Sequence, residues 1–257
     1  MIESLKIWKQ QGGQTIPDVT AVTLPEIFRG RPSIKAEECA NGCTACVDVC
    51  PVAAITLSSA GTVSLDLGPC VFCGECADAC PTDKITFTND YKTAAPTREA
   101  LVMHEGDVGP VVFNADAVRS EISEYFGGSL KLRQVSAAGC NSCELELNAC
   151  GNVNFDMGRF GIEFVASPRH ADGIVISGPI SLNMSIANDI CFDAVPDPRI
   201  VILTGACAIT GGVFEKSPEL QRAFVQRHHV DLYVPGCPPH PLTFINGVLQ
   251  LIRKRMS

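Results

Sequence analysis

Two runs of four cysteines, each closed by a proline, constrain this chain more than any other feature. The first is Cys39-x3-Cys43-x2-Cys46-x3-Cys50-Pro51 and the second is Cys70-x2-Cys73-x2-Cys76-x3-Cys80-Pro81. The surrounding segments, "CANGCTACVDVCPVAAITL" and "CVFCGECADACPTDKITF", form an internal repeat. Each copy ends in a short strand-like stretch, residues 54–57 and 84–87.

Thiolates are soft donors that suit iron bridged by sulfide. Three closely spaced cysteines hold three corners of one cubane, and in two-cluster chains the fourth ligates the other cluster. The expected sets are Cys39, Cys43, Cys46 and Cys80 around one 4Fe–4S cluster, and Cys70, Cys73, Cys76 and Cys50 around another. A pair of zinc sites is the alternative, but structural zinc takes four ligands, usually as two separated Cys-x-x-Cys pairs. The first gap is one residue longer than its counterpart. The loop at residues 40–42 is therefore expected to bulge, with Gly42 able to take unusual backbone angles.

The chain holds 14 cysteines among 257 residues. Disulfides need an oxidising compartment. The start, "MIESLKIWKQQGG", has neither the apolar run nor the cleavage site of a secretory signal, and no run approaches the roughly 18 apolar residues that cross a bilayer. A reduced, cytoplasmic setting is expected, where clustered cysteines bind metals or cofactors. Hydrophobic residues make up 46% and charged residues 19%, enough for a packed core. The net charge of −8 argues against a nucleic-acid or anionic-membrane surface.

Residues 1–32 read as an extended arm, with Pro17, Pro25 and Pro32 against any long helix. Residues 33–90 hold the cysteine repeat, and residues 91–127 a linker followed by a helix with Val118, Ile122 and Tyr125 at helical spacing. From 128 to 257, strand-like runs at 130–135, 161–165, 173–177, 199–204 and 230–234 alternate with helix-like runs. Ser217-Pro218-Glu219 reads as a helix start. A last helix begins near Pro241, with Leu242, Ile245, Val248, Leu249 and Ile252 as an apolar stripe that packs a core. Such alternation implies an α/β layer fold with a mainly parallel sheet.

A further Cys-x-x-Cys, Cys140 and Cys143 in "GCNSCELE", supplies only two ligands. Cys140 follows the strand at 130–135, Cys207 the strand at 199–204, and Cys237 the strand at 230–234. All lie past carboxyl ends of strands, where open α/β sheets form their binding crevice. Cys140, Cys143, Cys207 and Cys237 are thus the expected ligands of a third 4Fe–4S cluster; a thioredoxin-like dithiol leaves the two further turn cysteines unexplained, and zinc stays open on local spacing alone. Cys150 and Cys191 sit away from these strand ends and read as packing residues.

The stretches "CNSCELE", "RFGIEFVASPRHADGIVISGPI", "VPDPRIVILTGACAITGG" and "VDLYVPGCPPHP" resemble the small electron-transfer subunit of energy-converting, membrane-associated NiFe-hydrogenases, formate hydrogenlyase above all. The homologous subunit of respiratory complex I is related, but carries adjacent cysteines where this chain has Cys140-x-x-Cys143. The resemblance covers about residues 128–253. "FRGRP" and the two cysteine runs resemble the separate two-cluster subunit of the same hydrogenlyase, so the chain looks like two neighbouring subunits joined. The resemblance implies an α+β two-cluster ferredoxin domain followed by an α/β flavodoxin-like hydrogenase small-subunit domain. It also implies that the third cluster is proximal to a catalytic large subunit.

No dinucleotide or phosphate loop and no His-Glu-x-x-His run is present, so catalysis is expected on a partner. The expected role is an electron-transfer subunit relaying electrons through three 4Fe–4S clusters, in a peripheral arm of a membrane-associated complex. Its expected partners are a hydrogenase-type large subunit, an electron-donor protein at the ferredoxin half and, indirectly, membrane subunits. The alternatives are the same relay in a complex I-like quinone-reducing or ion-pumping complex, a free-standing electron carrier, or an iron–sulfur storage or sensing scaffold. Glu144 suits an interface or proton role, or simply an acid in a first helical turn. Arg169 and His170 are candidates for tuning the third cluster, or form a plain turn salt bridge. His228-His229 and the basic residues 253–255 read as helix ends.

Overall fold

The computed structural model describes residues 2–39, 42–107, 109–111, 113, 116 and 118–252. The chain opens with α1 (Ile2–Gln11), followed by twenty residues without strand or long helix up to β1 (Pro32–Ile34). The first repeat copy gives α2 (Ala45–Asp48) and β2 (Ile55–Leu57), then β3 (Val63–Asp66) follows. The second copy gives α3 (Glu75–Asp78) and β4 (Ile85–Phe87). β1 pairs antiparallel with β4, and β2, β3 and β5 (Val102–His104) form an antiparallel sheet.

The second half begins with α4 (Ser120–Phe126) and β6 (Leu130–Ser136), then α5 (Ser142–Ala149), β7 (Ile162–Phe164), β8 (Gly173–Ser177), α6 (Leu182–Asp193) and β9 (Ile200–Thr204). It closes with α7 (Ala206–Thr210), α8 (Ala223–Arg227), β10 (Leu232–Val234) and α9 (Pro241–Ile252). Its five strands form one sheet in the order β10-β9-β8-β6-β7, every neighbouring pair parallel. β8 and β9 are buried along their whole length, as expected for parallel strands covered on both faces. Ile174, Ile176, Val201 and Leu203 pack in one core, which continues into the cysteine-repeat half through Ile55, Leu65 and Ile85. Val175, Ile200 and Ile202 face the other way, on to Leu242, Ile245 and Val248 of α9. The halves are also stitched at the sheet edge, where Ala95 and Tyr233 exchange two backbone hydrogen bonds of 3.0 and 2.8 Å.

The structure departs from the sequence reading at several places. Residues 2–11 of the supposed extended arm are helical, since no proline precedes Pro17 and the segment is rich in helix formers. The supposed linker at 91–110 contains β5, which pairs with β3 and buries Met103, with Leu101 buried just ahead of it; the first half therefore runs past residue 90. Tyr125 is exposed, and Ile122 with Phe126 makes the buried face of α4. No helix starts at Ser217. Its hydroxyl accepts from the Glu219 N–H, and Leu220 bridges to Ser181, so tertiary pairing holds this stretch out of helix until Ala223. α9 is buried on nearly every side rather than along one stripe. Among the described residues no helix is long and apolar enough to cross a membrane. Residues 40–41 of the expected bulge and the basic residues 253–255 lie outside the described residues; Gly42 has a positive φ of 74°.

Candidate iron–sulfur sites

The repeat folds as a two-fold device. In each copy a one-turn helix carries Cys46 or Cys76 and leads into Cys50 or Cys80. The residue before the second cysteine is left-handed in both copies, Gly42 at φ 74° and Phe72 at φ 55°. The consequence is that each cavity takes its fourth cysteine from the other copy. One cavity is lined by Cys39, Cys43, Cys46 and Cys80. A second is lined by Cys50, Cys70, Cys73 and Cys76. Backbone N–H groups point at the sulfurs: Ala54 to Cys50 at 3.2 Å, Phe72 to Cys70 at 3.4 Å and Lys84 to Cys80 at 3.3 Å. Such donors favour the anionic form of a ligand.

Beyond the carboxyl ends of the parallel strands a third group assembles. Cys140 precedes α5 and Cys143 lies in its first turn, Cys207 lies in the first turn of α7, and Cys237 follows β10. The four act on one another electrostatically, Cys143 on Cys140, Cys207 and Cys237, and Cys207 on Cys140 and Cys237. The Cys207 and Cys237 turns are tied by Ala206 N–H donating to the Gly236 carbonyl at 2.9 Å. Gly236 has φ 146°, and a Cβ there would meet Pro239 Cα at 2.4 Å, so only glycine fits the turn.

Among the described residues no three His, Cys, Asp or Glu side chains close on a single ion; the first two sets surround a volume instead. Burial pushes Cys70 and Cys143 up to about 12, and Cys76 and Cys207 up to about 11, with neighbouring thiols adding to the effect. Burial also works upward on Cys80, but N–H groups of Thr82, Lys84 and Ile85 carry it below its ordinary value; at Cys140 the Ser142 N–H and hydroxyl do so. Grouped thiols that resist ionisation alone fit a cationic iron centre, whose charge stabilises the thiolates and releases their protons. A pH dependence follows for protein prepared without iron. A thiol raised from 9.0 to about 12 keeps its proton in the folded chain after losing it in the unfolded one. Stability is therefore lost as pH rises from 9 towards 12. Thermal melts should show a falling midpoint across this window, and a smaller fall once iron is loaded.

Of the remaining candidates, Glu144 turns inward. Its Oε1 accepts from Ser177 Oγ at 2.6 Å, and its Oε2 is buried without a partner. Arg169 and His170 are exposed on a 3-10 turn after β7, and no hydrogen bond or ion pair joins either side chain to the four cysteines. Cys150 is fully buried in the core under α9, its thiol near the Glu146 carbonyl at 3.4 Å, and Cys191 lies half-buried on α6 beside Arg133. His228 packs between the rings of Phe192 and Phe224.

Two residues were not legible as site residues. Arg222 is half-buried and donates to the carbonyls of Pro179, Cys207, Ala208 and Ile209 at 2.8–3.3 Å, clamping the Cys207 helix to the end of β8. No motif marks it, because its partners are backbone atoms. Lys84 lines the Cys39 cavity, almost wholly buried, with Glu105 Oε1 at 2.7 Å. Burial works against its charge, but Glu105 and Cys39 outweigh it and raise the pKa.

A larger cavity joins the halves. Its walls include Phe72 and Cys73 of the second set, Phe28 and Tyr91, and Cys237 with His240 of the third. His240 is wedged edge-on against Phe28 and Phe155, at centroid distances of 5.4 and 5.6 Å.

Comparison with known proteins finds two family models along the chain. Residues 29–84 match the 4Fe-4S dicluster domain. Residues 140–251 match the family described as NADH ubiquinone oxidoreductase, 20 Kd subunit. The chain is 36% identical over 136 residues to the "Probable membrane-bound hydrogenase subunit mbhJ" of Pyrococcus furiosus, which covers 52% of this chain and 81% of that protein. It is 42% identical over 113 residues to an NADH-quinone oxidoreductase subunit of Bacteroides thetaiotaomicron, 44% of this chain and 57% of that protein. The chain thus spans little more than half of the latter relative. A solved archaeal membrane-bound sulfane sulfur reductase is similar at 27% identity with a TM-score of 0.45, covering 52% of this chain and 74% of that one. The chain belongs to the NADH ubiquinone oxidoreductase 20 Kd subunit family of oxidoreductase-complex subunits, and carries a 4Fe-4S dicluster domain ahead of that family's domain.

Proposed function

We propose that this chain is the electron relay of a membrane-associated hydrogenase complex, of the formate hydrogenlyase kind, with its cysteines holding three 4Fe–4S clusters. When bound, the clusters supply one-electron transfer. The carrying observation is the cavity that sets Cys73 of the second set and Cys237 of the third against a common space. It supports an order in which Cys39, Cys43, Cys46 and Cys80 stand outermost, Cys50, Cys70, Cys73 and Cys76 between, and Cys140, Cys143, Cys207 and Cys237 last.

The strand order is that of a flavodoxin-like sheet, as the hydrogenase resemblance implies. Cys140 and Cys237 are exposed, which suits a large subunit docking over the third set, while an electron-donor protein meets the outer one. The apolar side chains of Leu145 and Val213, also exposed near that end of the sheet, suit the same contact. Membrane subunits would be reached through the large subunit, and the chain itself would lie at the cytoplasmic, peripheral side. The second reading, a complex I-like relay serving quinone, is favoured by the NADH-quinone oxidoreductase relatives.

Affinity purification from native cells under nitrogen, with metal analysis of each chain, tests the proposal. The expected result is about twelve iron atoms on this chain and nickel in a companion. Nickel-free companions with bound quinone would support the second reading. A stable monomer with no companion would overturn both.

A further inference from the structure

The two repeat copies agree closely around their fourth cysteines and then differ at one position. Ala53 and Asp83 share a φ of 49°. Ala54 and Lys84 follow, each donating its N–H to the sulfur four residues back. Ala54 lines the cavity of the Cys70 set and Lys84 that of the Cys39 set. At the same place, then, one set meets a methyl and the other a lysine whose side chain is 2% exposed. The fold holds that ammonium in position: Nζ donates to the Glu37 carbonyl, pairs with Glu105 Oε1 at 2.7 Å and acts on the Cys39 sulfur. Glu105 is fixed in turn by the Val63 N–H at 2.6 Å. A buried ion pair is costly to assemble, and an alanine satisfies the same backbone in the sister copy, so packing alone does not call for it.

We propose that Lys84 makes the two ferredoxin-half clusters unequal, raising the reduction potential of the one held by Cys39, Cys43, Cys46 and Cys80. This rests on the three-cluster reading above. Reduction adds one electron to an anionic assembly of iron, sulfide and thiolates. A fixed positive charge at a poorly screened site favours the reduced state, and the Glu105 carboxylate opposes it. No bond is made or broken and no proton moves; the electron comes from an external reductant. The outer site would accordingly accept an electron from a donor protein more readily than its sister copy would with an alanine there.

The test is an anaerobic redox titration of the full chain with dithionite, followed by electron paramagnetic resonance, on the unmodified protein and on Lys84→Ala, Lys84→Arg and Glu105→Gln. Lys84→Ala is expected to lower the reduced-to-oxidised ratio of one signal about tenfold at fixed potential, which is about 59 mV for one electron. Glu105→Gln should move the same signal the other way, and Lys84→Arg should restore it. A merely structural pair would broaden or lose the signal in both variants, without opposite shifts, and that result overturns the proposal. Signals present but unmoved in Lys84→Ala also overturn it. Should that variant lose its cluster, Glu105→Gln decides, and an unmoved potential there is equally fatal. Absence of two ferredoxin-half signals from the unmodified chain would instead sink the three-cluster reading, and this proposal with it.

Discussion

Cys237→Ala is expected to lower bound iron from about twelve to about eight atoms per chain and to stop electron delivery to the partner, while leaving the fold in place. The Cys237 side chain is exposed and belongs to no core cluster. The turn that carries it is held by backbone, through the Gly236 carbonyl and the Ala206 N–H. Removing the sulfur should therefore take one corner from the third set without disturbing β9 or β10. Iron analysis, circular dichroism and resonance spectra of anaerobic protein check this together: two cluster signals kept, one lost, secondary structure unchanged. Cys150→Ala is the matched control, since Cys150 is buried among core side chains and lies outside the four-cysteine group; its iron content should not change. If Cys237→Ala kept full iron and all signals, the third site would be wrong.

The second large effect is expected from Gly205→Ala. Gly205 joins β9 to α7 with φ 89° and ψ 153°, a backbone region that side chains rarely enter. A Cβ at that position would meet Cys143 Sγ at 2.6 Å. The new methyl thus strikes the Cys143 thiol on the first turn of α5, and the strain alone costs about 1–3 kcal/mol. A loss of affinity at the third site of roughly five- to 150-fold is expected, the strain energy expressed as binding, with both ferredoxin-half signals intact. Iron content and the resonance spectrum read this directly. A variant that retained all three signals would show that Cys143 does not ligate from the position described.

Three cysteines of each first-half group were legible because spacing within a dozen residues is a local property, while the fourth, from the other copy, was expected only from the general rule for two-cluster chains. A one-turn helix and a proline place the sulfurs and are written in neighbouring letters, as is Gly42; the left-handed Phe72 of the second copy is not. The strands of the second half were legible for the same reason: β8 and β9, "GIVIS" and "IVILT", are short apolar runs that only a doubly covered sheet accommodates. The position of Cys140, Cys207 and Cys237 past strand ends followed from that pattern and from the rule about where parallel sheets open.

Other features depend on contacts between distant segments, which no local pattern encodes. The stretch at 217–220 has a good helix start, yet it forms a turn, and the bridge from Leu220 to Ser181 keeps it out of a helix. "LVMH" has weak strand character alone and becomes β5 only because β3 offers it a free edge. Arg222 matters through four carbonyls on two other elements. Lys84 opens a strand-like stretch in sequence, and its buried ammonium is met by Glu105, 21 positions along the sequence, which only the fold brings to it. What the amino-acid sequence determined by itself was which donor atoms are available, in which groups, and the class of cofactor they suit. Which groups face one another across the Phe28, Tyr91 and His240 cavity, and which charge lies beside which sulfur, was decided by tertiary packing, because both depend on burial and distance between residues far apart in the chain.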